Sequence, residues 1–300
     1  AAITTRVPNL QTRLRLFAQC NIQKVPHLLG SEVMHLLSLD YDVHHWEEWN
    51  GPLTEWVDGQ IASFLGDLTG RDIPQASLML SQISVADGGL GLLNASARAI
   101  PDFVLTMAMA MRRTSQGFSI NKDLAPCRLH PTIQNLYCRA TNPDSLILQR
   151  FKLLLLPIAK VACGPKCLAN ERANHLLTKT STHSARGRLR SHCSKGLIDA
   201  LYTHLGKSTH IHHLPSLLSP HMASPLIAML RSNLSHCLRN NLFSYALLRK
   251  LRLPLWDPVA SPTCWCGKLH DPWGNHTFSC VTNRKSGAHN AIVQGTSIAL

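Results

Sequence analysis

Four cysteine and histidine side chains near the C-terminus constrain the fold of this chain more than any other feature. Cys264, Cys266, His276 and Cys280 have the spacing CxCx9Hx3C. Thiolates and imidazoles are the ligands that zinc takes in a closed tetrahedral site, which needs two short ligand pairs joined by a loop. The spacing therefore predicts a small zinc-binding module. Four protein ligands leave no open position for water, so we expect this Zn2+ to be structural.

Neighbouring residues suit such a module but leave its ligand set open. Gly267 follows the second cysteine where the chain must turn, and Gly274 allows the returning chain to approach the histidine closely. His270 or His289 could replace His276 as the third ligand. The alternative to a metal is a set of buried cysteines, which are common in protein cores.

A second group of thiols and imidazoles lies in the middle of the chain. Cys163, Cys167 and His175 have the spacing Cx3Cx7H and could be joined by His183 or Cys193. Two cysteines four residues apart on one buried helix face explain this group adequately. We therefore predict no second metal site.

Motifs of catalysis are missing from the sequence, which contains no nucleophile elbow, phosphate-binding loop or HExxH helix. Asp40 and Asp42 are more simply a solvated acidic turn than a two-metal carboxylate pair. Four histidines without regular spacing are expected to decorate a loop: His204, His210, His212 and His213. We predict no catalytic residue.

Apolar residues recur at three- and four-residue intervals over most of the chain, which is typical of amphipathic helices. The clearest helix ends at Gly70, and its apolar face consists of Leu53, Trp56, Val57, Ile61, Phe64, Leu65 and Leu68. The glycines of 87–92 predict a tight turn or close backbone packing. Further helices are expected at 146–161, with a bend at Pro157, and after Ser224-Pro225.

These patterns predict a mainly α fold, with helical bundle-like regions and a small C-terminal zinc-binding module. Three consecutive domains are expected. They are a helical region at 1–120, a basic helical connecting region at 121–255 and the zinc-binding module at 256–300.

Basic charge is concentrated in the second half of the chain. The first 150 residues carry 12 basic and 13 acidic side chains, residues 151–300 carry 18 and 4, and the formal net charge is +13. This balance favours polyanionic partners, and we expect RNA and/or DNA. Phosphate contacts are predicted for Arg186, Arg188, Arg190, Lys195, Arg249, Lys250 and Arg252. A solvated basic face is the alternative, and residues 178–194 are expected to form a linker or an exposed arm.

Signals for other compartments are not recognisable. There is no signal or transit peptide, and the longest apolar run, 151–163, is interrupted by Lys152, Pro157 and Lys160. Ten cysteines without a secretory signal argue against a disulfide framework. We therefore expect an intracellular protein of the nucleus or cytoplasm with no membrane partner. The missing initiator Met suggests a fragment.

Two segments together resemble one protein family. Asp87-Gly88-Gly89-Leu90-Gly91-Leu92 resembles the Gly-Gly-Leu-Gly-Leu segment that follows the polymerase core in reverse transcriptases of non-long-terminal-repeat retroelements. Cys264-x-Cys266-Gly267, then 271–276 and Cys280, resembles the zinc-binding element near the C-terminus of such proteins. The chain departs from the family pattern at Asn275, where Asp is usual, and at Ala288, where Arg is frequent.

The resemblance implies the C-terminal part of an RNA-directed DNA polymerase, without the catalytic step. The family polymerises with metal-binding aspartates that include an adjacent Asp-Asp pair, and this sequence contains no Asp-Asp. Residues 1–120 would correspond to the thumb, and the expected partners are RNA or DNA and the rest of a retroelement polyprotein. The alternative is a zinc-stabilised helical interaction protein, or a decayed element fragment without activity.

Overall fold

A computed structural model describes residues 7–18, 25, 29, 33, 51–120, 146–163, 172, 176, 182–206, 214–218, 238–256, 262–264, 266–276 and 280. Within these residues the protein is mainly helical, which confirms the predicted fold class at this level. The α-helices of this part are α1 (Leu10–Leu16), α2 (Pro52–Thr69), α3 (Gln75–Gln82), α4 (Ala95–Ile120), α5 (Leu146–Cys163), α6 (Thr182–Leu205), α7 (Leu214–Leu217) and α8 (Asn240–Lys250). None of them is long and apolar enough to span a bilayer.

The chain divides into two compact units, each assembled from separated segments. The first comprises Ala1–Gln19, Ile61–Leu92 and Ala200–Leu300, and the second comprises Cys20–Gln60 and Leu93–Asp199. Segments far apart in sequence therefore share a unit. The three consecutive domains expected from the sequence remain a prediction, and the boundary region around 121–144 lies outside the described residues.

The apolar face predicted for α2 is largely buried. Its buried members are Val57, Ile61, Phe64, Leu65 and Leu68. The prediction that Trp56 belongs to this face is wrong, because Trp56 is 60% exposed. It precedes Val57 by one residue, a rotation of about 100° around the helix axis. The predicted helix end is confirmed, since Gly70 has φ 64° and its amide donates to the Gly66 carbonyl at 2.8 Å.

The glycine segment forms the tight turn that the sequence predicts. A short 3-10 helix, Val85–Asp87, is capped by the Ser84 side chain and ends at Gly88, whose φ is 89°. The turn folds back so closely that a side chain on Gly89 would overlap the backbone of Ile83. Only glycine fits both positions without displacing the neighbouring chain.

Asparagine side chains hold α1 to the start of α8 within the first unit. Asn9 caps α1 by accepting from the Thr12 amide at 2.9 Å, and its Nδ2 donates to the Leu238 carbonyl at 3.3 Å. In return, the Asn240 side chain accepts from the Leu10 amide at 3.0 Å. These bonds satisfy polar groups at two helix N-termini and fix the position of α8, which leads into the predicted zinc-binding segment.

In the second unit, α4 packs against α5. Asp58 caps α4 by accepting from the amides of Ala95 and Ser96 at 3.0 and 3.4 Å. Helix α5 continues through Pro157 to Cys163. The beginning of the helix expected after Ser224-Pro225 lies outside the described residues, and its expected end at the basic cluster is described as α8. Helix α8 begins only at Asn240, after the non-helical residues Leu238 and Arg239, so the expected helix is not continuous up to this cluster.

The interpretation of residues 178–194 as a linker or exposed arm is wrong for its described part, because α6 begins at Thr182 and continues to Leu205. The segment is rich in polar residues, yet it also supplies Ala185 and Leu189, which are buried one helical turn apart. Packing of these two side chains supports a helix that composition alone did not indicate.

Candidate metal centre

The first two cysteines lie on a tight hairpin. An isolated antiparallel bridge joins Thr263 and Leu269, and the Cys264 amide donates to the Lys268 carbonyl at 2.8 Å. At the turn, the Gly267 amide donates to the Cys264 carbonyl at 2.8 Å, and Gly267 has φ 80°. Glycine is favoured at such a positive φ, so the predicted turn after Cys266 is confirmed.

A single carboxylate organises the loop that carries the histidine. Asp271 accepts from the amides of Trp273 and Asn275 through Oδ1, each at 3.1 Å, and from the His276 amide through Oδ2 at 2.6 Å. Burial of Asp271 raises the pKa of its carboxyl, but these three amides act in the opposite direction and the pKa is lowered overall. The ionised carboxylate therefore fixes the backbone from which the His276 ring projects.

The hairpin and the loop bring four donor atoms together. Sγ of Cys264, Cys266 and Cys280 and a ring nitrogen of His276 all lie within 4.8 Å of one another. The Cys264 and Cys280 sulfurs are 3.5 Å apart, and the Cys266 sulfur is 3.1 Å from His276 Nε2. A disulfide bond measures about 2.05 Å, so Cys264 and Cys280 are two thiols in contact.

This donor set fits a tetrahedral metal ion. Bonds of about 2.3 Å to sulfur and about 2.0 Å to nitrogen place tetrahedral ligand atoms about 3.5–3.8 Å apart. The distances of 3.5 and 3.1 Å lie near this range. The four side chains could therefore hold one metal ion after a small adjustment.

The protonation of Cys264 is linked to its neighbours. The Cys266 backbone amide lowers the pKa of the Cys264 thiol, but burial and the contacts with Cys280 and Cys266 outweigh it and raise the pKa overall. A metal ligand must be a thiolate, so metal binding at this site has to displace protons from the cysteines.

A cluster of larger side chains surrounds the His276 loop. The Arg252 guanidinium lies 5.2 Å from the centre of the Trp273 ring, and its Nη1 donates to Asn275 Oδ1 at 3.1 Å. Asn275, where the resembling family has Asp, therefore faces a cation in this chain. A side chain on Gly274 would come within 2.6 Å of Leu255 Cδ1, so the loop lies directly against the segment after α8.

Trp273 also forms a wall of a cavity in the first unit. The cavity has a volume of about 280 Å³, and its walls are largely apolar: Pro74, Leu80, Leu205, Leu214, Leu253 and Pro254, with Arg252 beside the indole. Trp273 thus has a guanidinium near one side and apolar neighbours around it.

His270, one of the two alternative ligands, is not part of the four-residue group. The His270 ring centre lies 5.4 Å from that of His276 and 5.5 Å from that of Trp256, edge to face in both pairs. Among the described residues, the only group of three or more potential ligands is the one that includes His276. His289 lies outside these residues.

The second cysteine group is placed only in part. Cys163 Sγ donates to the Arg172 carbonyl at 3.3 Å, and Cys193 Sγ donates to the Ala97 carbonyl at 3.4 Å. Both thiols are half-buried, and the explanation by one buried helix face stays a prediction. Cys167, His175, the histidines at 210, 212 and 213, and Asp40 and Asp42 lie outside the described residues.

The basic residues predicted to contact phosphate occupy different environments. On α6, Arg190 and Lys195 are exposed and Arg186 is half-buried. Arg188 is also half-buried: its Nη1 donates to Ser184 Oγ at 2.8 Å, and its Nε donates to the Ala162 carbonyl at the end of α5. Arg188 therefore caps a helix C-terminus, which is a structural role for its charge.

At the end of α8 the predicted phosphate contacts point inward. Lys250 is only 2% exposed, and burial lowers its pKa to about 8. Burial also lowers the pKa of Arg249 and of Arg252, and the Asp271 carboxylate acts in the opposite direction on both. In this conformation Lys250 belongs to the core and Arg252 to the surroundings of the His276 loop.

Asp271 was missed as an organising residue, although it belongs to the zinc-binding element of the resembling family. The signal was present in the sequence, because Asp271-Pro272-Trp273-Gly274 has the composition of a turn in which the Asp side chain bonds to the following amides. The side-chain environments of Arg188 and Lys250 had no such local signal.

Comparisons of the chain with protein-family models, curated proteins and solved structures give no match. Its assignment therefore depends on the residues themselves.

Proposed function

We propose that Cys264, Cys266, His276 and Cys280 bind one structural Zn2+. The convergence of their four donor atoms within 4.8 Å carries this proposal. Three sulfurs and one imidazole nitrogen are a donor set that zinc prefers, and four protein ligands complete its coordination. When bound, the ion would link the hairpin to the His276 loop and would stabilise a segment that has little regular secondary structure.

The residues of the chain prepare this site. Gly267 turns the hairpin so that Cys264 and Cys266 are close, and Asp271 fixes the loop that presents His276. Burial of Cys264 and Cys280 excludes water from two of the thiolates. Because no coordination position remains for water or substrate, the site supports folding rather than catalysis.

We further propose that the protein binds RNA or DNA through its basic residues. The formal net charge of +13 supports an electrostatic interaction with phosphates. The exposed cations Arg190 and Lys195 on α6, and Lys268 beside the cysteine hairpin, are available for such contacts. Neutralising phosphates releases counterions, so the affinity should decrease as salt increases.

The Gly-Gly-Leu-Gly-Leu segment and the CxCx9Hx3C element support assignment to the C-terminal region of a non-long-terminal-repeat retroelement reverse transcriptase. In this proposal the chain contributes a helical, bundle-like nucleic-acid-binding region and a zinc module to an RNA-directed DNA polymerase. Residues 1–120 would have a thumb-like role. The aspartates of the polymerase step would belong to another part of the polyprotein.

The test compares the wild-type protein with Cys264→Ser/Cys280→Ser. Zinc content is measured by atomic absorption, and binding to a fluorescent RNA–DNA hybrid is measured by anisotropy over a salt series. We expect one zinc per wild-type chain, none in the variant, and wild-type binding that weakens with salt. Absence of zinc from protein purified with zinc supplied would refute the metal site.

A second candidate function is a zinc-stabilised helical interaction protein or an inactive element fragment. Exposed apolar side chains on α5 favour an interaction surface, since Leu153 and Leu156 are 43% and 57% exposed. Stoichiometric zinc without binding to the hybrid at about 50–200 mM salt would favour this candidate over nucleic-acid binding.

A further inference from the structure

One face of α6 carries two arginines that approach the beginning of α4. Arg186 and Arg190 are one helical turn apart, and Leu189 and Cys193 are on the same side of the helix. Leu189 is buried, and Cys193 Sγ donates to the Ala97 carbonyl of α4 at 3.4 Å. Both arginines therefore extend from the side of α6 that packs near α4.

Helix α4 contributes one arginine and one carboxylate to the same region. Arg98 Nη2 lies 2.7 Å from Asp102 Oδ2, one helical turn away. Asp102 is buried, with 8% of its surface exposed, so the ion pair is shielded from water. This bond fixes the position of the Arg98 guanidinium and offsets part of the negative charge of Asp102.

Together, the three arginines and Asp102 carry an excess of positive charge. Partial burial lowers the pKa of Arg190, the nearby cations Arg98 and Arg186 lower it further, and Asp102 acts in the opposite direction. Among the residues that the structure describes, three guanidinium groups share one carboxylate, which leaves an excess of positive charge in a partly desolvated place. Such repulsion is costly in a folded protein unless an anion relieves it.

We propose that Arg98, Arg186 and Arg190 form a binding site for a phosphate group, with Asp102 as the residue that positions Arg98. The planar fork of arginine matches phosphate oxygens, and a phosphate would neutralise the excess charge. The exposure of Arg190 makes the site accessible from solvent. The proposal depends on the proposed nucleic-acid function only for the source of the phosphate, which there is the backbone of RNA or DNA.

This assignment adds Arg98 to the sequence prediction and, within residues 186–190, leaves out Arg188. Arg98 joins the site although it lies far from the basic segment in sequence, and its own segment is not rich in positive charge. Arg188 leaves the site, because it points away from Arg186 and Arg190 and donates to the Ala162 carbonyl. The three arginines of 186–190 thus divide into two that face a ligand site and one that caps α5.

The test uses the full chain and the double variant Arg186→Gln/Arg190→Gln, which leaves the buried Arg98–Asp102 pair intact. The matched control is Arg71→Gln/Lys160→Gln, which removes two exposed cations elsewhere. A second variant, Arg186→Lys/Arg190→Lys, keeps both charges and removes the arginine fork. Binding of a fluorescent RNA–DNA hybrid is measured from about 50 to about 300 mM salt. In a second arm, thermal unfolding is followed in inorganic phosphate and in chloride at equal ionic strength.

If the proposal is correct, the Gln variant binds the hybrid about tenfold more weakly, and its salt slope falls by about 0.9 for each phosphate that it no longer neutralises. The control keeps the wild-type slope. The Lys variant keeps the slope but binds more weakly, because an ammonium group cannot form two parallel bonds to one phosphate. Phosphate raises the unfolding temperature of the wild type and the control, but not that of the Gln variant.

Equal slopes and equal phosphate responses for the Gln variant and the control would overturn the site, while hybrid binding by the wild type would leave the proposed function standing. If the wild type does not bind the hybrid, the proposed function fails. Phosphate stabilisation that the Gln variant lacks would then support a site for free phosphate, and its absence from the wild type would overturn the phosphate site as well.

Discussion

Two basic segments that look equivalent in the sequence have opposite environments in the structure. On α6, Arg190 and Lys195 are exposed, whereas at the end of α8 Lys250 is 2% exposed and Arg252 contacts the His276 loop. Clustered lysine and arginine residues indicate a phosphate-binding surface only where their charged groups reach solvent. Composition therefore identified two candidate surfaces, and side-chain placement favours one of them.

The difference has a physical origin in the neighbours of each segment. Residues 249–252 continue directly into the segment that packs against the His276 loop, where the Leu255 amide donates to the Pro272 carbonyl at 2.7 Å. Cations in this position can brace the loop through Asn275 and Trp273. Residues 186–195 instead occupy a long helix whose exposed side remains available to a polyanion.

Metal removal should have the largest effect on the difference in exposure between these two basic segments. If zinc links the hairpin and the His276 loop, chelation should release the loop and expose the end of α8, because zinc binding in small modules contributes about 10 kcal/mol or more to folding. Limited trypsin digestion should then produce fragments that end at Arg249, Lys250 or Arg252. The measurement is the cleavage rate by mass spectrometry, before and after treatment with a zinc chelator.

Cleavage after Lys195 serves as the internal control for that experiment. This residue is already exposed on α6, so its cleavage rate should change little on chelation. The chelator-treated protein must be shown to be zinc-free. If residues 249–252 are still protected from trypsin in that protein, their position does not depend on the metal.

The Lys250→Met substitution should stabilise the protein at neutral pH. The lysine pKa is about 8 in the folded protein and near its ordinary 10.5 when unfolded, so at pH 7 a buried charge opposes folding. Between these pKa values the unfolded chain holds the proton and the folded chain does not, so the free energy of unfolding of the wild type rises with pH. The difference between the folded and unfolded pKa values corresponds to about 3 kcal/mol in the free energy of unfolding.

Urea unfolding at pH 7 and pH 9.5 measures this effect. Lys250→Met should exceed the wild type by about 2–3 kcal/mol at pH 7, and the advantage should shrink at the higher pH. Lys195→Met, at an exposed position, should show neither change. An advantage for Lys250→Met that stays constant with pH would mean that the lysine charge is not the cause.

The parts of the structure that depend on local pattern were predictable. The α2 face followed from three- and four-residue spacing, Gly70 and Gly88 from their positions at a helix end and a turn, and the four-residue metal group from ligand spacing. Each of these features involves residues close in sequence, where steric limits and ligand geometry act directly.

The environments of charged side chains were not predictable in the same way. Nothing around Lys250 distinguishes it from an exposed lysine, and Arg188 differs from Arg186 only by its side of α6 and by the Ala162 carbonyl that it meets. Arg98 and Arg190 belong to segments distant in sequence, and only tertiary packing places both near Asp102. A single sequence does not contain that information in local form.

Two glycines beside the candidate metal centre allow a sharper test of how closely the His276 loop packs against the segment after α8. Gly274→Ala should cost about 1.5–2 kcal/mol, because alanine is disfavoured at φ 73° and the Leu255 side chain, whose Cδ1 would lie 2.6 Å from the new methyl group, must shift to admit it. Gly267→Ala has a similar φ of 80° but no neighbouring atom within 4 Å, so it should cost only about 1 kcal/mol. The difference in unfolding free energy of the zinc-loaded proteins isolates the contact, and equal losses would contradict close packing at Gly274.

The smallest effect is expected for the contact of Arg252 with Asn275. Their hydrogen bond of 3.1 Å involves a charged donor and is partly buried, so we expect a coupling of about 1 kcal/mol between Arg252→Gln and Asn275→Ala in a double-mutant cycle. Part of the destabilisation by Arg252→Gln should remain in the Asn275→Ala background, because the guanidinium also stacks on Trp273. The same cycle between Lys195→Gln and Asn275→Ala should give no coupling. If Arg252 behaves like Lys195, with no coupling and no effect on stability, then residues 249–252 do not brace the His276 loop. These residues would then again be candidates for the phosphate contacts that α6 is proposed to make.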